Sequence, residues 1–254
     1  MSALDPDVGR RLLEEWDVQQ SAYVAHREQR FGVLLEVVRL HLGDEVTVLD
    51  LACGPGAISE RVLTALPGAS TIAVDYDPIL LTVARAALAV HGDRARVLDV
   101  DLAAPGWTRA LGVEKVDAVL SSTALHWLSP AQLLATYEAA ATLLRPGGLL
   151  LNADHLRFDA AFPTLRTLAE QHDAQTQRAG FAAGALEYDA WYAEAAREPA
   201  LAALGPERQR RFADRPPQAL APLDFHLAAL RAAGFAEVGT VWQYFDDYVV
   251  LARR

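Results

Sequence analysis

Between Val46 and Ala153 five short aliphatic runs alternate with helical stretches, and no other feature restricts the possible folds as much. The runs are Val46 to Leu51, Ser70 to Asp75, Ala95 to Asp99, Val116 to Ser121 and Leu149 to Ala153. β-Branched and aliphatic residues without polar alternation suit strands buried on both faces, which is the condition of a parallel sheet. The intervening helices have recognisable limits. Ala57 to Leu66 is broken by Pro67-Gly68, Asp77-Pro78 caps a helix reaching about Val90, and Ser129-Pro130 opens one that ends at Pro146-Gly-Gly148. Strand–helix alternation of this kind predicts a doubly wound sheet, with its ligand at the rim formed by the carboxyl ends of the strands.

The flanks extend the pattern. Asp5-Pro6 reads as a helix start, with Leu12, Leu13 and Trp16 at helical spacing. A second helix is expected from about Ala22 to Leu42, closed by Gly43-Asp44. After the fifth strand the alternation stops between His155 and Pro222, a stretch rich in aromatic residues, arginine and proline, including Pro216-Pro217. A helix from about Asp224 to Ala233, closed by Gly234, then leads to two strands, Glu237 to Tyr244 and Tyr248 to Ala252. Their short connection, Asp246-Asp247, makes them antiparallel. The expected fold is an α/β, Rossmann-like, seven-stranded sheet, mostly parallel with an antiparallel C-terminal strand. Residues 1–44 would form an N-terminal helical cap, 45–155 with 223–254 the ligand-binding domain, and 156–222 a helical lid.

The chemistry concentrates at strand ends. Ala52-Cys-Gly-Pro-Gly56 lies between the first strand and its helix, where glycines let backbone N–H groups approach a ligand. Asp75 closes the second strand 19 residues after Gly56, near the spacing at which an acid accepts both hydroxyls of a ribose. Tyr76 could cover an adenine face, and Asp99, closing the third strand, could take an adenine amino group. Together these signals point to an adenosine-containing ligand. Three places after Gly56 stands Ser59, where a dinucleotide fingerprint wants Gly or Ala.

Asp50-Leu-Ala-Cys-Gly-Pro-Gly56, with the acid inside the first strand, and the C-terminal strand pair resemble the class I S-adenosylmethionine-dependent methyltransferases. Asp117-Ala-Val-Leu-Ser-Ser-Thr-Ala-Leu-His-Trp-Leu128, Leu144-Arg-Pro-Gly-Gly-Leu149 and Ala232-Ala-Gly-Phe-Ala-Glu-Val238 are similar to later segments of that family. A looser similarity reaches the small-molecule enzymes acting on acids such as aconitate. The resemblance implies S-adenosylmethionine as cofactor, with Ala52, Gly54 and Gly56 at its methionine part, Asp75 at the ribose, and Asp99 with Val100 at the adenine; Tyr76 and Ser121 are further candidates for its contacts. The family often has Gly where Ala52 stands.

Methyl transfer requires alignment, exclusion of water and, for a hydroxyl or ammonium acceptor, removal of a proton. His126, after the fourth strand on the ligand rim, is the candidate base, with packing as the competing reading. Trp127, Tyr23, Arg30, His226 and Trp191 are candidates for the acceptor pocket, against roles as core or solvated helix surface. Asp154 and His155, Asp117, Cys53 and the Asp246-Asp247 turn are read as structural. The single cysteine excludes an internal disulfide, and no metal site is expected. The formal charge of −10, with no basic cluster, speaks against nucleic acid as a partner. The opening Met1-Ser-Ala-Leu-Asp-Pro carries no leader signature and no apolar run would span a membrane, so a cytoplasmic protein is expected, as monomer or homodimer. The expected function is methyl transfer to a small-molecule O, N or carboxylate acceptor. A macromolecule methyltransferase and a non-catalytic cofactor-binding regulator are the alternatives.

Overall fold

The computed structural model describes residues 3–215, 217–218 and 220–254; Met1, Ser2, Pro216 and Ala219 of the sequence reading lie outside the described residues. Seven strands form one sheet: β1 (Thr47–Leu51), β2 (Ser70–Asp75), β3 (Ala95–Asp99), β4 (Val116–Ser122), β5 (Leu144–His155), β6 (Glu237–Tyr244) and β7 (Asp247–Arg253). Their order is β3-β2-β1-β4-β5-β7-β6. Strands β1 to β5 run parallel, and β7 runs antiparallel to both β5 and β6. The order reverses between β1 and β4, which opens a crevice beyond their carboxyl ends.

Apolar faces decide the layers. Helices α2 (Arg27–Leu42) and α3 (Ala57–Ala65) bury Phe31, Leu34, Val38, Ile58 and Val62 against one face of the central strands. On the other face α5 (Pro130–Leu143) and α10 (Leu223–Ala232) bury Leu133, Tyr137, Ala229 and Leu230. Helix α4 (Pro78–Ala87) follows β2 and packs against α1 (Pro6–Ser21), where Gly9 abuts Ala86 and Ala87. The helix starts follow the expected capping chemistry: Asp5 accepts from Asp7 and Val8, Asp77 from Ile79 and Leu80, and Ser129 forms a capping box with Gln132.

Three boundaries differ from expectation. The second helix begins at Arg27, because α1 runs on to Ser21 and residues 22–26 turn the chain, with His26 left-handed at φ +55°. Leu144-Arg-Pro-Gly-Gly148 belongs to β5: the pairing shifts between Val116–Leu144 and Ala118–Leu149, and left-handed Gly147 (φ +81°) accommodates the extra residues. The hairpin turns at Phe245-Asp246, so Asp247 is a strand residue paired with Tyr244 and His155. Between β5 and α10 lie α6 (Pro163–Ala182), α7 (Tyr188–Ala195), α8 (Pro199–Ala202) and α9 (Gly205–Phe212). Among the described residues no helix is long and apolar enough to cross a membrane.

Candidate active site

A cavity of about 690 Å³ opens at the carboxyl ends of β1 to β5, within the range of small-molecule sites. Its first wall is the turn after β1. Ala52 and Gly54 are both left-handed there, at φ +52° and +57°. A side chain on Gly54 would enter open space, so its backbone is what faces the cavity. Ala52 holds a conformation that favours glycine, so Ala52→Gly should raise stability by about 0.5–1 kcal/mol in urea denaturation. A lower stability would show that its methyl group packs usefully.

The next wall comes from β2. Asp75 Oδ2 accepts from Gly54 N at 2.8 Å, while Oδ1 accepts from Tyr76 N at 2.7 Å and Asp77 N at 2.8 Å. The acid at the end of β2 therefore shapes the glycine turn of β1, and it lines the cavity with Tyr76. Burial raises its pKa, opposed by the three N–H donors. Asp50, inside β1, accepts from Ser59 N and Oγ on Oδ2, while buried Oδ1 has no partner. Burial pushes its pKa up to about 7. Because the raised value favours the protonated folded state, this group makes stability fall as pH rises from about 4 through 7. Asp50→Asn should flatten that part of the melting-temperature profile of the ligand-free protein; an unchanged slope would place the titration elsewhere.

The structure redistributes several expected site residues. Gly56 (φ +95°) does not line the cavity; its missing Cβ would lie 3.0 Å from Leu88 Cδ1, so it is a packing glycine at the start of α3. Ser121 is buried with Oγ donating to Leu51 O at 3.0 Å, and its neighbour Ser122 takes the cavity-facing place. Asp99 is held by both terminal nitrogens of Arg211, at 2.7 and 2.8 Å, outside the cavity. Asp101, two residues on, lines it beside Val100. Arg30 is buried against Asp247 Oδ1 (3.3 Å), Ala153 O and Thr123 Oγ1, which removes it from the pocket. His226 is sealed in the core with Nδ1 bonded to Tyr137 Oη at 2.7 Å, and burial lowers its pKa to about 4. Trp191 packs edge-on to Trp16 and donates to Leu12 O. Tyr23 and Trp127 do line the cavity.

His126 also lines it. Its Nδ1 lies 2.7 Å from Asp154 Oδ1, and its backbone N–H donates to Oδ2 at 3.2 Å. Burial opposes ionisation of Asp154, yet His126, His155 and Arg30 hold its carboxyl well below the usual carboxylate range. With Nδ1 engaged, Nε2 is the ring nitrogen left to meet a ligand. The outer wall comes from the helices after β5. On α9 Arg208 bonds Asp77 at 2.6 Å and Arg211 reaches Asp99 and the Tyr76 carbonyl, while beyond it Arg215 lies 4.2 Å over the Trp127 ring. Asp101, His155, Arg211 and Arg215 are the cavity features that the sequence reading missed.

A family profile described as "Methyltransferase domain" matches residues 48–148, which hold β1 to β4 and their turns. Trans-aconitate 2-methyltransferase of Azoarcus sp. (strain BH72) is 31% identical over 136 residues, 53% of this chain and 49% of that one. The enzyme of the same name from Delftia acidovorans is 28% identical over 155 residues, 60% of this chain and 55% of its own. Residues 48–148 thus match a methyltransferase domain, and the fold is shared with structures of S-adenosylmethionine-dependent methyltransferases. The chain spans about half the length of these curated relatives. Among solved structures, the apo form of the S-adenosylmethionine-dependent methyltransferase SibL has TM-score 0.57 at 21% identity, over 89% of this chain and 55% of that one. A possible exported protein from Bordetella parapertussis has TM-score 0.61 at 20% identity, over 99% and 80%. At these identities the solved structures establish the fold. The residues of the cavity fit S-adenosylmethionine: the unpartnered Asp50 oxygen suits an ammonium group, and Asp75 suits a pair of hydroxyls.

Proposed function

We propose that this protein methylates an oxygen of a small-molecule acceptor, with His126 as general base. S-adenosylmethionine, when bound, supplies an electrophilic methyl group on a positively charged sulfur. Asp75 would accept its ribose hydroxyls, Asp101 its adenine amino group and Asp50 its ammonium, with Val100 and Tyr76 against the adenine and the Ala52–Gly54 backbone along the methionine part. Residues 156–222 would act as the lid that excludes water, and Tyr23 and Trp127 would flank the acceptor. His126 Nε2 would take the proton of the acceptor hydroxyl as that oxygen receives the methyl group. Asp154 fixes the Nδ1–H tautomer and stabilises the imidazolium that forms.

The carboxylate-backed imidazole at the cavity wall carries this reading, since a carboxylate acceptor needs no base. The names of the trans-aconitate relatives support a small-molecule acceptor. Release of S-adenosylhomocysteine, measured over a panel of small hydroxyl compounds and carboxylic acids including trans-aconitate, tests it. Turnover of hydroxyl acceptors is expected. Turnover confined to the acids, or failure of S-adenosylmethionine to bind, would overturn it.

A further inference from the structure

A second imidazole stands beside His126. His155 ends β5, is 8% exposed and lines the same cavity. Its Nδ1 lies 2.5 Å from Asp247 Oδ1, at ion-pair distance but off the angle of a hydrogen bond. Asp247 is held from behind by Arg30, and Arg30 is anchored on the Ala153 carbonyl and the Thr123 hydroxyl. Buried ion pairs add little net stability over a well-packed apolar core, so stability alone does not account for this arrangement. It resembles the outer support that orients a working imidazole.

Asp154 ties the two histidines together. Its Oδ1 meets His126 Nδ1 at 2.7 Å and accepts the backbone N–H of His155 at 2.9 Å. The Nε2 atom of each ring has no protein partner among the described residues and is not sealed from the cavity. With Nδ1 of His126 bonded to Asp154, its Nε2 presents a lone pair, and a neutral His155 with its proton on Nδ1 beside Asp247 would do the same. The cavity thus offers two hydrogen-bond acceptors at the ends of neighbouring strands, between walls that include Phe31, Trp127, Tyr188 and Phe212.

We propose that His155 is a second acceptor-binding residue, and that the acceptor is a ring compound with two neighbouring hydroxyl groups. This rests on the methyltransferase reading above. The hydroxyl on His126 is the one methylated, because His126 follows β4, which adjoins β1, whereas His155 ends β5, one strand farther away. The second hydroxyl donates to His155 Nε2 and keeps its proton. A ring with one hydroxyl leaves that nitrogen unpaired, which is how a polar site rejects an analogue lacking the group.

Calorimetric titration of the S-adenosylhomocysteine-saturated protein with catechol and with phenol tests the proposal. Wild type should bind catechol at least tenfold more tightly than phenol. His155→Ala should bring the ratio near one, and His155→Gln, whose amide oxygen accepts a hydrogen bond, should restore part of it. Equal affinities in the wild type, no binding of either compound, or a ratio unchanged in His155→Ala would overturn it. The saturating titration separates the two readings. Absent S-adenosylhomocysteine binding sinks both, whereas normal cofactor-product binding with an unselective pocket sinks only this one.

Discussion

Asp75→Ala should weaken S-adenosylhomocysteine binding at least a hundredfold in calorimetric titration, which corresponds to about 2.8 kcal/mol. Two losses combine. The carboxylate would no longer accept ribose hydroxyls, and hydrogen bonds to a charged group contribute about 1.5–3 kcal/mol each. The N–H groups of Gly54, Tyr76 and Asp77 would also lose their common acceptor, loosening the turn that carries the methionine contacts. Asp75→Asn keeps an acceptor oxygen for the turn but lacks the charge, so an intermediate affinity is expected. If Asp75→Ala bound as tightly as wild type, the end of β2 would not hold the ribose.

For His126→Ala, kcat with a hydroxyl acceptor should fall about 10²- to 10⁴-fold, the usual contribution of a positioned base. Affinity for S-adenosylhomocysteine should stay within about twofold. Asp154→Asn should lower kcat in the same direction, because the ring would lose the partner that selects its tautomer. The combination separates a base from a packing residue, whose loss would alter cofactor affinity and melting temperature while sparing kcat. Turnover unchanged in His126→Ala would remove it from the mechanism.

Whatever depends on neighbours in sequence was legible in advance. The buried apolar runs and capping residues marked the strand and helix positions, and the strand-end placement of Asp75 needed only spacing. His126 was visible because it follows the fourth strand. What was not legible depends on distant contacts. Asp99 and Asp101 look equivalent until Arg211, 112 residues away in the chain, occupies the first. Gly56 and Gly54 look alike until Leu88 fills the space beside one of them. Arg30 is expected at the pocket as a cation on the N-terminal helices, and His226 because it starts the helix after the insertion, near the rim. In both, buried partners override that expectation: Asp247 for Arg30 and Tyr137 for His226. The Asp246-Asp247 pair looked like turn chemistry, whereas the hairpin register carries Asp247 into the interior opposite His155.

The tie between Arg30 and Asp247 also bears on how the molecule is made. Its two ends are 217 residues apart, and β7 inserts between β5 and β6 in the finished sheet. A growing chain that has emerged only through β5 already contains the glycine turn, Asp75, His126 and Asp154. It lacks the strand that covers the edge of β5 and the carboxylate that orients His155. Such long-range closure is slow relative to local helix formation. The cofactor half can therefore take shape during synthesis, whereas the acceptor half is assembled only when the C-terminal hairpin docks.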